Sequence, residues 1–196
     1  MSTVLTHMTM SLDGFIADPT DGIDELFGWY GAGEVAVPTK VEQFTFNVDE
    51  ASAALLRGYL DSSGALVCGR RLFDITNGWG DQHPMGPPVV VVTHHAPDDA
   101  ADTWPRTTFV DDVATGIARA KEIAGDTNVV IASASIAAQA LDLGLVDEVH
   151  VSLVPVLLGQ GIPYFASLRA TPHRFEDPVV IPGKRATHLQ YKVRRD

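Results

Sequence analysis

Ala65-Leu66-Val67-Cys68-Gly69-Arg70-Arg71-Leu72-Phe73 decides how this chain folds. Residues 65–68 are apolar without alternation, as expected of a short strand covered on both faces. Gly69 marks a turn and Arg70 opens a helical pattern. A buried strand feeding directly into a helix is the building unit of a parallel sheet. Val89–Val92 and residues 129–132 read as two more strands of the same kind.

Residues 146–154 and 186–194 differ, because they alternate. Val149, Val151 and Leu153 oppose His150 and Ser152, and Leu189, Tyr191 and Val193 oppose His188, Gln190 and Lys192. Alternation predicts antiparallel strands with one less buried face, toward one side of the sheet. Helical spacing joins Val113, Ile117, Ala120 and Ala124, with Asp111 or Asp112 as cap and Gly125 as stop. Ile136, Ala140 and Leu143 form another such stripe, capped by Ser133 or Ser135 and stopped by Gly144. Residues 49–60 form a third, with Ala51, Leu55 and Tyr59 on one face. Residues 31–47 and 76–88 read as loops, the second rich in Gly and Pro. The expected architecture is a three-layer α/β/α fold around a mixed, mostly parallel sheet with antiparallel C-terminal strands. No linker divides it, so residues 1–196 are read as one domain.

The chain has 196 residues and a formal charge of −11. No basic face is available for a phosphate backbone, so nucleic acid is not an expected partner. Cys68 is the single cysteine, which excludes an intrachain disulfide and any cysteine-based zinc site. No histidine pairs with a carboxylate at helical spacing, so metal catalysis is discarded. Neither a leader peptide nor a membrane span is read. A cytoplasmic protein is expected.

In open α/β sheets ligands bind beyond the carboxyl ends of the strands. Three strand ends carry suitable groups. Gly69, Arg70 and Arg71 offer close backbone approach, helix amides and forked cationic donors to a phosphate. Thr93, His94 and His95 follow Val92, where one histidine could meet a phosphate or a base. Ser133, Ala134, Ser135 and Ile136 open a helix with small residues that let a diphosphate near the backbone. Each has a plainer reading as a solvated turn or helix cap.

In order along the chain, these pieces resemble one family. Met10-Ser11-Leu12-Asp13-Gly14-Phe15-Ile16-Ala17 is similar to the opening of the reductase domain in bifunctional riboflavin-biosynthesis enzymes. Gly69-Arg70-Arg71-Leu72-Phe73 resembles the G-R-x-T-[FY] motif that dihydrofolate reductases share with that group. Val89–Val92 with Thr93 and His94 resembles the strand leading to the cofactor's adenosine end. Leu145-Val146-Asp147-Glu148-Val149, followed by Pro155-Val156-Leu157-Leu158-Gly159-Gln160-Gly161, resembles the family's most specific segment.

The resemblance implies a dihydrofolate-reductase-like fold and NADPH as hydride donor. It places Arg70 and Arg71 at the 2′-phosphate and diphosphate, with Thr93 and His94 near the former. Gly69, Leu72, Ser133, Ala134, Ser135 and Ile136 fall beside the diphosphate. Asp13 and Gly14 fall near the nicotinamide and substrate, with the loop of Gly159 and Gly161 closing the cofactor side. The chain departs from the family at Ala132-Ser133, where Gly-Gly is common, and at Leu72, where threonine is common. Both changes bear on diphosphate affinity.

Hydride transfer to a C=N or C=O bond of a small pterin- or pyrimidine-like substrate is the expected reaction. Asp13, Asp24 and Glu25 are candidate proton sources, Asp13 first. Trp29, Phe44, Phe46 and Trp79 are candidates for an apolar substrate slot, though each also suits the core. Alternatives are true dihydrofolate reduction, which needs a carboxylate on the helix after the first strand, and a non-catalytic ligand-binding protein. A homodimer is expected, formed through the alternating strands.

Overall fold

The computed structural model describes residues 2–42 and 44–195. Its strands are β1 (Val4–Ser11), β2 (Phe15–Ala17), β3 (Val35–Pro38), β4 (Thr45–Val48), β5 (Ser63–Gly69), β6 (Val89–Val92), β7 (Thr108–Val110), β8 (Asn128–Ile131), β9 (Glu148–Val154), β10 (Ile162–Pro163), β11 (Val179–Pro182) and β12 (Thr187–Lys192). Its helices are α1 (Asp24–Phe27), α2 (Glu50–Ser62), α3 (Arg70–Ile75), α4 (Ala100–Thr103), α5 (Val113–Ala124) and α6 (Ala134–Asp142).

Eight strands form one sheet in the order β11-β12-β9-β1-β8-β5-β6-β7. From β9 to β7 every neighbouring pair is parallel. Only β12, against β9, and β11, against β12, run antiparallel to their neighbours. The unbroken apolar runs are explained by coverage on both faces. Ala65, Val67 and Val90 face a core with Ile117, Ala120 and Ile136 of α5 and α6. Leu66, Cys68, Val89 and Val91 face the opposite way, onto Phe73. A third cluster joins Trp29, Val37, Phe46 and Leu56 under α2. Asp112 caps α5 by accepting from the Thr115 amide at 2.9 Å, and Gly125 at φ +58° stops it.

Two expectations fail. Residues 31–47 are not all loop, since β3 and β4 pair as an antiparallel hairpin; residue 43 lies outside the described residues. Polar ends and Pro38 mask the apolar pair Val37 and Phe46 that this hairpin buries. Also, β9 pairs antiparallel with β12 as expected but parallel with β1, and its polar face is not the exposed one. His150, Ser152 and His188 are 4%, 0% and 1% exposed. Alternation reports two faces of different chemistry, and a polar face can be buried when its groups bond one another.

Candidate functional site

A cavity of about 1460 Å³ opens at the carboxyl ends of the parallel strands. One wall comes from β1, α2 and the β3–β4 hairpin, through His7, Thr9, Phe46, Leu56 and Tyr59. The other comes from α6 and residues 162–170. Arg71, Asp21, Trp79 and the turn at Ala132 and Ser133 also line it.

The junctions of β5 with α3 and β8 with α6 meet here. A Cβ added to Gly69 would lie 3.2 Å from the Ser133 hydroxyl, so glycine is what lets the two turns close up. Ser133 is the N-cap of α6 and makes no side-chain capping bond. The first-turn amides of α6 are therefore left for water or an anion, with the helix dipole behind them. Ala134 and Ser135 reach the cavity, while Ile136 is 4% exposed and packs into the core. The expected second anion site at α3 is weaker, because that helix is only six residues long and has little dipole.

The two arginines part company. Arg71 stands in the cavity, bonded to Asp21, whose carboxylate raises its affinity for its proton. Arg70 lies outside, its Nε donating to Asp74 at 2.7 Å and its Nη1 to the His95 carbonyl. That second bond holds Arg70 against the Thr93–His95 turn, where the Thr93 hydroxyl accepts from the His95 amide at 3.2 Å. Thr93 and His94 lie off the cavity with Arg70. Leu72 contributes an apolar side chain to the cavity wall.

Asp13 is a clamp. Its carboxylate accepts from the Ser11 hydroxyl at 2.6 Å and from the amides of Gly159 and Leu158 at 2.6 and 3.1 Å. The Ser11 bond foremost lowers its pKa, so the group stays ionised and serves poorly as an acid. Gly14, at φ +90°, accepts from the Tyr164 amide. Gly161 packs so close that a Cβ would stand 2.2 Å from the Ala17 carbonyl oxygen. Asp13, Gly14, Gly159 and Gly161 thus brace the wall from behind, and Ile16, Ala17, Ile162 and Pro163 form its surface. Asp24 and Glu25 are exposed on α1, away from the cavity.

Trp29 is not at a substrate slot. It is 1% exposed, donates from Nε1 to the Thr9 hydroxyl at 3.2 Å, and stacks behind Tyr30. Trp79 does reach the cavity. Asn77, Gly78, Trp79, Gly80 and Asp81 all have positive φ, a left-handed turn that swings the indole out. Asp81 anchors it, accepting from the Arg106 amide at 2.9 Å and the Thr107 hydroxyl at 2.9 Å. Phe44 and Phe46 also line the cavity. Sequence reasoning missed His7 and Tyr59 there; the signal was a titratable ring, His7, at the middle of β1.

This sheet, with its two C-terminal antiparallel strands and a cleft at the strand ends, defines the dihydrofolate-reductase-like α/β class. A dihydrofolate reductase from Enterococcus faecalis complexed with NADP(H) superposes with TM-score 0.58, at 15% identity, covering 98% of this chain and 97% of that one. The chain belongs to the RibD C-terminal domain family, whose model matches residues 2–177. A protein assigned to riboflavin biosynthesis in Shewanella sp. PV-4 aligns with TM-score 0.67 and 23% identity, over 98% of this chain and 99% of that one. The diaminohydroxyphosphoribosylaminopyrimidine deaminase/5-amino-6-(5-phosphoribosylamino)uracil reductase of Thermotoga maritima aligns with TM-score 0.64 and 13% identity. That match covers 98% of this chain and 57% of the relative, so the chain spans little more than half of the two-activity protein. No curated protein matches in sequence. Family and fold together place the chain in the RibD C-terminal domain family on a dihydrofolate-reductase-like fold.

Proposed function

We propose that this protein is an NADPH-dependent reductase acting on a C=N or C=O bond of a small pyrimidine- or pterin-like substrate. One observation carries the reading: uncapped α6 amides, Arg71 and an apolar slot share one cavity at the strand ends. The residues fit a dinucleotide. The amides at Ser135 and Ile136 with Arg71 would take the diphosphate, and Arg70 with the Thr93–His95 turn would take the 2′-phosphate. When bound, the cofactor supplies the hydride; the protein supplies position and exclusion of water. The apolar wall of Phe46, Leu56 and Trp79 would hold a flat ring.

True dihydrofolate reduction fits less well, because neither Asp24 nor Glu25 of α1, the helix after the first strand, lines the cavity. A non-catalytic binder remains the second reading. It is favoured by the engagement of both cavity carboxylates, Asp21 with Arg71 and Asp142 with the amides of Arg169 and Ala170. Among the described residues no helix is long and apolar enough to cross a membrane, and an NADPH-fed reduction suits the cytoplasm. The edge strand β11 exposes Val179 and Val180 at 57% and 54%, which supports a homodimer through the antiparallel strands. Light scattering at the 21.0 kDa of one chain would refute the dimer.

Isothermal titration tests the cofactor: micromolar NADPH binding supports the reductase, and none at millimolar concentration removes it. Loss of NADPH absorbance with 5-amino-6-(5-phosphoribosylamino)uracil, against none with dihydrofolate, then separates the substrates. Binding of NADPH without turnover of any pyrimidine favours the non-catalytic reading.

A further inference from the structure

Beneath the cavity runs a single file of buried hydrogen bonds. Asp49, the N-cap of α2, lies 2.6 Å from the Ser52 hydroxyl. Ser52 lies 2.9 Å from His188 Nε2, and His188 Nδ1 lies 2.9 Å from the Ser152 hydroxyl. Ser152 in turn lies 2.9 Å from His7 Nε2. Ser52 and Ser152 are fully buried. His7 is on the cavity wall. Its Nδ1 has no partner among the described residues, yet no buried side-chain nitrogen or oxygen there lacks one. Nδ1 therefore opens onto the cavity.

The directions of these bonds follow from one end. Asp49 accepts two amides at the start of α2, from Ala51 and Ser52, plus that of Lys184. Burial opposes its charge, but the Ser52 hydroxyl and these amides outweigh that and hold it at about 2. As an ionised acceptor it accepts the hydrogen bond of the Ser52 hydroxyl. The Ser52 oxygen must then accept from His188 Nε2–H, which leaves His188 Nδ1 to accept from Ser152. The Ser152 oxygen must accept from His7 Nε2–H. Burial, then the neighbouring rings of His150 and His188, keep His7 uncharged until about pH 3, so its one proton is spent on Ser152.

We propose that Asp49, acting through Ser52, His188 and Ser152, locks His7 in its Nε2–H tautomer, so that the cavity wall presents a bare acceptor nitrogen and selects a substrate with an N–H or O–H donor at that point. The inference deepens the pyrimidine reading, since a ring amide N–H is such a donor. It makes Asp49, Ser52, His188 and Ser152 positioning residues and His7 the residue that touches ligand. The Tyr59 ring lies tilted beside His7 with ring centres 4.9 Å apart, and its hydroxyl bonds His150 instead, which bonds Glu148. That second chain ends elsewhere and does not set the tautomer of His7. The outer end is tightly covered: a Cβ at Gly183 would stand 2.4 Å from the Ser52 hydroxyl.

Asp49→Asn tests the lock without removing the helix cap, since asparagine caps as well as aspartate. The amides of Ala51 and Ser52 hold the side-chain oxygen at the Oδ1 position, so the new NH₂ takes the Oδ2 position, where it donates to Ser52 and gives up the bond from the Lys184 amide. Every bond in the file then reverses. Side-chain ¹⁵N NMR of the whole unliganded protein should find His7 and His188 as Nε2–H in the wild type and as Nδ1–H in Asp49→Asn. Adding Ser152→Ala to Asp49→Asn should flip His188 alone, and adding Ser152→Thr, which keeps the hydroxyl, should flip both. A wild-type His7 protonated on Nδ1, or a His7 that ignores Asp49→Asn, overturns the lock. Uracil should bind the wild type at least several-fold more tightly than 1,3-dimethyluracil, and Asp49→Asn should erase the preference. Equal binding by the wild type overturns the donor rule. NADPH titration is independent of both: binding with an unlocked His7 sinks this inference and leaves the reductase, and a locked His7 without NADPH binding does the reverse.

Discussion

Arg71 grips Asp21 through three hydrogen bonds, from Nε to both carboxylate oxygens at 2.9 and 3.1 Å and from Nη2 to Oδ2 at 2.7 Å. Both residues line the cavity, so the aspartate already occupies the donors that a phosphate would use. Replacing Asp21 with Asn should tighten NADPH several-fold. Arg71→Ala should weaken NADPH and NADH alike by roughly tenfold, as for loss of a charge-assisted forked pair. Arg70→Ala, beside the Thr93–His95 turn, should weaken NADPH more than NADH. Calorimetry with both cofactors decides; indifference to Arg71→Ala removes it from the phosphate site.

The clamp by Asp13 predicts a structural rather than an acid–base effect. Asp13→Ala frees the amides of Leu158 and Gly159, loosens the loop behind Ile162, and should raise the NADPH Kd a few-fold. The pH dependence of NADPH binding should keep its shape. A changed pH profile with unchanged affinity would return Asp13 to a proton-transfer role.

The two tryptophans should respond oppositely. Trp29→Ala empties a sealed core site and should cost about 3–5 kcal/mol, read by denaturant unfolding. Trp79→Gly keeps the left-handed turn, which glycine adopts freely, so stability should hold while uracil binding falls. Matching stability losses would place both indoles in the core.

Acid should drain stability through the histidines. Burial foremost holds His7 at about 3 and His83 at about 4, and lowers His150 and His188 as well. Unfolded histidines titrate near 6.5. Below that pH the unfolded chain binds protons that the folded one refuses, so stability is complete above pH 6.5 and falls toward pH 4. Each such ring contributes up to about 1.4 kcal/mol per pH unit. His83→Asn should flatten the melting temperature between pH 6.5 and 4. A slope unchanged by that replacement would show that His83 is not held neutral.

Much of this fold was legible because apolar pattern reports burial directly. Residues 65–68 and Val89–Val92 could be read as covered on both faces, and Asp112 with Gly125 bracketed α5 almost to the residue. The same rule misled at β9 and β12. His150, Ser152 and His188 look like a wet face in sequence, and only their mutual bonds, set by chain pairings far apart, make burial tolerable. The hairpin β3–β4 was hidden for a related reason: only Val37, Phe46 and Val48 of its two strands are buried. Arg70 and Arg71 are adjacent in sequence and on a helix necessarily diverge, so one motif became two separate groups. Trp29 and Trp79 could not be ranked, since composition does not say which indole a left-handed turn will turn outward.

The position of β1 governs how the molecule comes to be assembled. It lies between β8 and β9, and its Thr6 hydroxyl donates to a carbonyl 125 residues further on. During synthesis β1 has no partner strand in the sheet until β8 and β9 have emerged, so Val4 and Leu5 stay wet until then. Closing so long a loop is slow, and an apolar strand waiting unpaired invites aggregation. Maturation of this protein should therefore be limited by the late docking of β1 between β8 and β9, and should gain more from a holding chaperone than from added local helix propensity.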